Sequence, residues 1–197
     1  MDPRLRGDDF NIAGRIVDNS TDKIVILDRD GVINQDSDTY IKSPEEWIPL
    51  QGSIEAIAQL NRNGYRVFIF TNQSGLARGY FTEETLNLMH AKMARMLDKA
   101  GGKIERIFYC PHSPDDECEC RKPKIGMLKQ IEKHVGHSLE TALVVGDSKK
   151  DIEAAIKIGA KPHLVLTGKT TSAPDWGIDN LQVFANLKAF AESVCNH

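Results

Sequence analysis

Short apolar runs alternate with amphipathic segments along the chain from Lys23 onward. The apolar runs are of strand length and rich in β-branched and aromatic residues, and they predict strands at 24–28, 65–71, 104–109, 142–145 and 163–166. Apolar residues at helical spacing predict helices at 53–63, 82–99, 125–135, 151–158 and 186–194. This alternation predicts an α/β fold of three layers, in which a parallel sheet lies between two layers of helices. Functional side chains are then expected beyond the carboxyl ends of the strands.

The N-terminal segment differs in pattern from the rest of the chain. Residues 1–22 mix charged residues, glycine and asparagine without a sustained period, which predicts a poorly ordered extension before a single domain at 23–197. At 41% apolar and 27% charged residues, the composition is ordinary for a soluble globular protein. A net charge of −3 argues against nucleic-acid binding, which needs a basic surface. Because no apolar run reaches the length of a membrane span and no signal-peptide core is found, we expect a cytoplasmic protein without a membrane partner.

Two carboxylates follow the first predicted strand, one residue apart. If strand geometry continued past Leu27, Asp28 and Asp30 would project to one side and Arg29 to the other. Such a pair can bind a hard cation, or can supply a nucleophile and a proton donor. A lone pair of this kind is equally compatible with solvated acids at a strand end, so its interpretation depends on the other strand ends.

Further polar groups follow the second and fourth predicted strands. Residues 71–75 (TNQSG) follow the second strand, Asp147 and Asp151 follow the fourth, and the basic pair Arg121 and Lys122 precedes the intervening helix. Each has a structural interpretation on its own, as a strand end, a turn or a charge at a helix N-terminus. Together they supply the carboxylates, hydroxyl, amides and ammonium that phosphoryl transfer with Mg²⁺ requires.

A second cluster of candidate ligands lies immediately before the basic pair. Cys110 and His112 form one arm and Cys118 and Cys120 form the other, a set that can close a tetrahedral Zn²⁺ site. In the expected cytoplasmic setting a disulfide framework is the weaker explanation. Four protein ligands leave no open position for a substrate water, so the zinc is predicted to be structural and to fix the loop that carries the basic pair.

Four segments, in this order, resemble the four motifs of the haloacid dehalogenase (HAD) superfamily phosphatases. They are Asp28-x-Asp30-Gly31-Val32, Thr71-Asn72, Lys122-Pro123 and Gly146-Asp147-x-x-x-Asp151. The resemblance covers about residues 23–168 and implies a Rossmann-like HAD core that acts as a Mg²⁺-dependent phosphoric monoester hydrolase. No long insertion follows the first strand or separates the second from the fourth, so a capless enzyme with a small zinc-binding loop is expected. A monomer is expected as well.

The resemblance also implies a role for each matching residue. Asp28 would be the nucleophile that forms an aspartyl-phosphate, and Asp30 would protonate the leaving alkoxide and then deprotonate water. Thr71 and Lys122 would hold the phosphoryl oxygens. The Mg²⁺ ligands would be Asp28, the backbone carbonyl of Asp30, and Asp147. For the remaining acid, Asp151, the resemblance implies that it supports these Mg²⁺ ligands or orients Lys122.

Within the superfamily, the cysteine loop narrows the resemblance to two families. One is the heptose bisphosphate phosphatases, which remove the 7-phosphate of D-glycero-D-manno-heptose 1,7-bisphosphate in lipopolysaccharide precursor synthesis; the other is the histidinol-phosphatases of histidine biosynthesis. Residues 71–79, Asn34 and residues 36–40 resemble the heptose enzymes, whereas the loop from His112 to Cys118 resembles both families. The expected contacts to a sugar phosphate are Asp36, Tyr40, Asn72, Gln73, Ser74 and Arg121. A zinc-bearing module that holds a cation without catalysis is the alternative from another class.

Overall fold

The computed structural model describes residues 22–196. The order of elements is β1 (Lys23–Leu27), α1 (Ser53–Arg62), β2 (Tyr65–Asn72), α2 (Glu83–Lys99), β3 (Arg106–Cys110), a 3₁₀ helix (Pro114–Asp116), α3 (Gly126–Val135), β4 (Leu143–Gly146), α4 (Lys149–Ile158), β5 (Lys161–Val165), β6 (Gln182–Phe184) and α5 (Leu187–Cys195). The strands form one parallel sheet in the order β3-β2-β1-β4-β5-β6. Apart from Asp22, the predicted extension at 1–22 lies outside the described residues.

Two layers of helices cover the two faces of the sheet. The side chains of the central strand β1 alternate between them, as strand geometry requires. Val25 and Leu27 pack into the core that contains α1, α2 and α5, whereas Ile24 and Ile26 pack into the core that contains α3 and α4. The predicted three-layer α/β fold is therefore confirmed.

Helix α2 illustrates how closely local sequence determines an element. It begins after Thr82, whose hydroxyl accepts a hydrogen bond of 3.2 Å from the amide of Thr85, the N-cap geometry expected for threonine. Its apolar residues recur at three- and four-residue intervals, which brings them to one helix face. The buried members of this face are Leu86, Met89, Met93 and Leu97. The methionines therefore form part of the hydrophobic core.

The chain reverses its direction of travel across the sheet at β1. Strands β2 and β3 lie on one side of β1, and β4, β5 and β6 lie on the other. Just beyond β1, the amide of Asp28 donates a 2.9 Å hydrogen bond to the carbonyl of Val145, and Asp147 follows directly after β4. In open α/β sheets, ligands bind at such a reversal, outside the carboxyl ends of the strands.

Some elements differ from the sequence-based expectation. The edge strand β6 was not predicted because it is three residues long and largely exposed, so that it has no apolar run. Helix α4 starts at Lys149, earlier than the predicted 151, because Ser148 caps it. Among residues 22–196, no helix is both long enough and apolar enough to cross a membrane.

Candidate active site

Lys122 forms the centre of a buried charge cluster at the reversal of the sheet. Its Nζ lies 2.9 Å from Oδ2 of Asp28 and 2.6 Å from Oδ1 of Asp151, and it donates a 3.1 Å hydrogen bond to the carbonyl of Phe70. Lys122 is 3% exposed and Asp151 is fully buried. Burial lowers the pKa of Lys122, but the charges of Asp151 and Asp28 outweigh it and raise this pKa above its usual range. The lysine is therefore cationic at neutral pH.

The cap of helix α4 orients Asp151. Its Oδ2 accepts hydrogen bonds from the amide (3.0 Å) and the hydroxyl (2.6 Å) of Ser148, which leaves Oδ1 directed at Lys122. This reciprocal arrangement at a helix start is a capping box. Of the two roles that the sequence left open for Asp151, the geometry favours orientation of the lysine.

Two glycines allow the backbone to approach Asp147 closely. Gly31 has φ +80°, and a Cβ there would lie 2.5 Å from Oδ2 of Asp147; a Cβ on Gly168 would lie 2.1 Å from the same oxygen. Real Cβ contacts are longer, so neither position accepts a side chain without a shift. The Asp147 carboxylate also accepts a hydrogen bond from the amide of Lys169. Asp147 is thus held at a fixed position beside the 28–31 segment.

The carboxylates of Asp28, Asp147 and Asp151 suit a divalent cation. Each offers an oxygen within 4.8 Å of the others, and all three residues are buried. Burial, followed by Asp151, Asp147 and Asp30, raises the pKa of Asp28 well above its ordinary value despite the opposing effect of Lys122. Burial and Asp151 raise the pKa of Asp147 to about 6. Three ionised acids facing one ammonium would place excess negative charge in a buried site, which is why these pKa values rise. Mg²⁺ prefers ionised carboxylate oxygens as ligands, so its binding would favour the ionised forms.

Asn72, at the end of β2, fixes the backbone of Lys122. Its Oδ1 accepts a 3.0 Å hydrogen bond from the amide of Lys122, and its Nδ2 donates a 3.3 Å hydrogen bond to the carbonyl of the same residue. Both ends of the Asn72 amide are thus used within the protein, which favours positioning of the lysine over direct contact with a sugar.

Asp30 has a different environment from Asp28. The guanidinium of Arg29 donates to both of its carboxylate oxygens at 2.9–3.1 Å, Nδ2 of Asn34 donates at 2.8 Å, and Nε2 of Gln73 donates at 2.8 Å. The same Gln73 nitrogen lies 2.9 Å from Oγ1 of Thr71, so Asp30 and Thr71 are linked through one side chain. Burial raises the pKa of Asp30, but the charge of Arg29 and these hydrogen bonds outweigh burial and lower it. Asp30 is therefore an oriented carboxylate at neutral pH.

Cys110, His112, Cys118 and Cys120 converge as the sequence predicted. The sulfurs of Cys110 and Cys118 are 3.6 Å apart and those of Cys118 and Cys120 are 3.5 Å apart, while Nδ1 of His112 lies 3.6 Å from Cys110 and 3.2 Å from Cys120. Tetrahedral Zn²⁺ separates its ligand atoms by roughly 3.5–3.8 Å, given its usual bond lengths. All four cysteines of the chain are free, so the cluster is available for a metal. These ligands fit zinc in both chemistry and spacing.

The remaining predicted contacts lie around this centre. Ser74 is buried, and Arg121 donates a 3.2 Å hydrogen bond to the carbonyl of His112, which ties it to the cysteine loop. Asp36 forms a 2.8 Å ion pair with Lys169. Tyr40 has φ 67°, an uncommon value for a bulky residue, and its ring lies 5.0 Å from the ring of Tyr80. A cleft of about 440 Å³ lies beside these loops, lined by residues 35–38, Leu50 and residues 167–169.

Three residues of the site were not identified from the sequence. Arg29 was expected on the opposite side from Asp30, but β1 ends at Leu27 and the long side chain of Arg29 contacts Asp30 directly. His90 contacts Arg29 from α2, and Lys169 reaches Asp36 from the segment after β5. Neither His90 nor Lys169 has a local sequence pattern that indicates its partner, because each contact depends on the tertiary fold.

The fold, the four motifs at the carboxyl edge of the sheet and the buried acids define a phosphatase of the HAD superfamily. The sequence model of the polynucleotide kinase 3 phosphatase family matches residues 23–188. The D-glycero-beta-D-manno-heptose-1,7-bisphosphate 7-phosphatase of Pseudomonas putida is 50% identical over 173 residues, 87% of this chain and 99% of that protein. Its namesake in Pseudomonas aeruginosa is 54% identical over 146 residues, 74% of this chain and 82% of that protein.

Among solved structures, a D,D-heptose 1,7-bisphosphate phosphatase from Bordetella bronchiseptica, complexed with magnesium and phosphate, superimposes with a TM-score of 0.85. It is 47% identical, and the match covers 88% of this chain and 98% of that one. The chain belongs to this heptose bisphosphate phosphatase family, and it is a phosphoric monoester hydrolase. The alternative of a cation-binding module without catalysis is thereby set aside.

Proposed function

We propose that this enzyme hydrolyses the 7-phosphate of D-glycero-β-D-manno-heptose 1,7-bisphosphate. The observation that carries the proposal is the buried cluster of Asp28, Lys122 and Asp147, in a chain 50% identical to a relative named for this reaction. We choose the β anomer because both Pseudomonas relatives are named for it. Lipopolysaccharide precursor synthesis, a cytoplasmic location, a monomeric state and the lack of a nucleic-acid ligand stay predictions from the sequence.

In the proposed mechanism, Asp28 attacks the substrate. One of its carboxylate oxygens bonds to phosphorus as the bond from phosphorus to the heptose oxygen breaks. Asp30, which is ionised in the free protein, takes up a proton from solvent when the negatively charged phosphate binds beside it, and gives that proton to the departing alkoxide. Water then attacks the phosphorus of the aspartyl-phosphate, Asp30 takes the proton, and inorganic phosphate leaves with Asp28 regenerated. The separate environments of the two acids support this division, because Asp28 adjoins the cation site whereas Asp30 is held by Arg29, Asn34 and Gln73.

Lys122 and Thr71 are proposed to hold the non-bridging phosphoryl oxygens. The buried ammonium of Lys122 supplies a fixed positive charge that needs no reorganisation when charge develops in the transition state. Thr71 is buried and its hydroxyl is oriented by Gln73. Thr71 lies within β2, and Lys122 donates a hydrogen bond to the carbonyl of Phe70 in the same strand, so the groups that bind the phosphoryl oxygens are supported by the sheet.

We propose Mg²⁺ as the catalytic cation, held by the carboxylates of Asp28 and Asp147 and by the backbone carbonyl of Asp30. When bound, it supplies positive charge to the phosphoryl oxygens and to the attacking carboxylate. Asp151 is proposed as a support rather than a ligand, because its two oxygens are already used by Lys122 and Ser148.

Zinc is proposed to be structural. With Cys110, His112, Cys118 and Cys120 as ligands, it would hold the loop that leads directly to Arg121 and Lys122. The 3.2 Å hydrogen bond from Arg121 to the carbonyl of His112 supports this coupling. Asp36, Tyr40, Gln73, Ser74 and Arg121 are proposed to contact the sugar or its phosphates, and the proposal for Asn72 is that it acts through Lys122.

A phosphate-release panel tests the proposed substrate. It compares both anomers of heptose 1,7-bisphosphate with histidinol phosphate and fructose 1,6-bisphosphate, each with Mg²⁺ present. We expect the β anomer to exceed histidinol phosphate in kcat/KM by at least about tenfold, which corresponds to about 1.4 kcal/mol in transition-state binding. Faster turnover of histidinol phosphate would overturn the substrate assignment and leave the reaction class intact.

A further inference from the structure

Arg29 is a fully buried cation between the proposed acid–base residue and a helix. It is 1% exposed, and its Nε and Nη2 donate to Asp30 at 2.9–3.1 Å. On its other side, Nη1 lies 3.3 Å from Nε2 of His90. In the part of the chain that the structure describes, the hydrogen bonds of this side chain go to Asp30 and His90 alone.

The chemistry of the two groups fixes the roles in the Arg29–His90 contact. A guanidinium has donors and no acceptor, so Nε2 of His90 must accept and the proton of the imidazole must lie on Nδ1. Burial, and then the positive charge of Arg29, lower the pKa of His90 to about 4, so the ring is neutral at pH 7 and free to accept. His90 is thus the acceptor that completes the environment of the buried guanidinium.

We propose that His90 is a positioning residue for the phosphatase reaction, acting through Arg29 to hold the carboxylate of Asp30 in line with the leaving oxygen. The inference rests on the acid–base role proposed for Asp30. Arginine has several rotatable bonds, and a guanidinium with one anchored edge can swing. With Asp30 on one edge and His90 on the other, the guanidinium plane is fixed, and so is the carboxylate that it holds. His90 lies on α2, so a helix outside the catalytic strand ends controls the acid–base group.

His90 is also reachable from outside the site. It lines a cavity of about 590 Å³ between α2 and β3, together with Met93, Leu97, Ile107 and Tyr109. A molecule of the size of imidazole can enter such a cavity. Chemical rescue of a shortened side chain is therefore possible from the side away from the substrate.

The main test exploits the dependence of acid catalysis on the leaving group. An alkyl phosphate needs its departing oxygen protonated, whereas p-nitrophenyl phosphate leaves as a stabilised phenolate. In His90→Leu, which keeps a similar volume and removes the acceptor, we expect kcat/KM for heptose 1,7-bisphosphate and fructose 1,6-bisphosphate to fall at least tenfold. The value for p-nitrophenyl phosphate should change less than threefold. In His90→Gln, whose carbonyl accepts a hydrogen bond, the alkyl activity should recover most of the loss.

Two controls separate positioning from a general structural effect. His134→Leu makes the same substitution on α3, where the ring packs against Phe68 and Phe108, and it should leave the ratio of alkyl to aryl activity unchanged. In His90→Gly, added imidazole should restore alkyl activity, whereas pyrrole, a ring of the same size without an acceptor nitrogen, should not. This rescue is measurable even if the leucine variant folds poorly.

An equal loss of alkyl and aryl activity in His90→Leu, or no loss of either, would overturn the proposal. So would equal rescue by imidazole and pyrrole. Asp30→Asn serves as the reference, because it should show the same preference for loss of alkyl turnover. If Asp30→Asn loses alkyl and aryl phosphate turnover equally, the role of Asp30 in the proposed function is wrong. If the wild-type enzyme prefers another alkyl phosphate, only the substrate assignment is wrong, and the comparison still decides the role of His90.

Discussion

The ammonium of Lys122 lies 2.6 Å from a carboxylate oxygen of Asp151. Asp151 is fully buried, and its other oxygen is held by Ser148 at the start of α4. The lysine proposed to bind the phosphoryl group is therefore anchored by a residue that uses both of its oxygens within the protein. Because removal of one partner from a buried pair leaves an uncompensated charge, this anchor contributes to both stability and geometry.

Replacement of Asp151 by asparagine tests the anchor. Without its charge, Lys122 should shift towards Asp28, and kcat should fall roughly 10²-fold because small displacements of positioned groups are costly. The Mg²⁺ concentration for half-maximal activity should change less than in Asp147→Asn. Phosphate release across a Mg²⁺ titration measures both quantities. Glu153→Gln, a half-buried position on the same helix, serves as the control and should retain full activity.

Substitution of Asp28 and substitution of Asp30 should impair the enzyme in different ways. Asp28→Asn should abolish turnover, since an amide is not a nucleophile for phosphorus and is a poorer Mg²⁺ ligand. Asp30→Asn should slow turnover by roughly 10²–10⁴, the range of general acid–base groups, with Mg²⁺ affinity largely kept. The exposed Asp38→Asn is the control for charge alone. Substantial activity in Asp28→Asn, or equal loss of Mg²⁺ affinity in both variants, would contradict the assignment.

The zinc loop should couple metal content to catalysis. Cys118→Ser should lower the zinc content, reduce Tm and reduce activity through displacement of Arg121 and Lys122, because binding at a site formed only in the folded state stabilises that state. Added Mg²⁺ should not restore the activity, since its own ligands are separate. Elemental analysis, thermal melting and phosphate release measure the three effects. Cys195→Ser, outside the cluster, should match wild type, and a wild-type protein purified without zinc would contradict the prediction.

Asp147 should make the metal-free protein less stable as the pH rises. Burial and Asp151 raise its pKa to about 6 from an ordinary value of 3.8, so between these values the folded state binds more protons than the unfolded state. The contribution of Asp147 to stability therefore falls as the pH rises from about 4 to about 6. In melting curves without Mg²⁺, the Tm of Asp147→Asn should rise relative to the Tm of wild type as the pH increases over this interval. With saturating Mg²⁺ at pH 7, wild type should have the higher Tm. A Tm difference that does not change with pH would contradict this prediction.

The parts of this protein that the sequence predicted are those governed by local pattern. Among residues 22–196, alternating apolar runs and helical spacing identified five of the six strands and all five α-helices, because burial on a sheet face or a helix face leaves a period in the sequence. The strand-end rule then predicted that Asp28, Thr71 and Asp147 lie at one edge of the sheet. The cysteine loop was also predictable, since its ligands are close in sequence and chemically distinctive.

The parts that escaped prediction depend on side-chain conformation or on distant segments. Strand periodicity placed Arg29 away from Asp30, but the strand ends at Leu27 and the arginine is long enough to reach its neighbour. His90 lies in an apolar helix face, where its neighbours indicate packing and nothing indicates Arg29. Lys169 forms an ion pair with Asp36, more than a hundred residues away in the sequence, and no sequence pattern predicts such a contact.

The sheet order has a consequence for how activity can arise during folding. The catalytic groups come from the ends of β1, β2 and β4 and from the segment before α3, and the hydrogen bonds of Asn72 to Lys122 join segments 50 residues apart. No fragment shorter than Asp28 to Asp147 contains all of these groups, so turnover should be absent until β1, β2 and β4 have paired. Recovery of phosphatase activity during refolding should then lag behind the return of helical circular dichroism, which makes catalysis a reporter of pairing among the central strands.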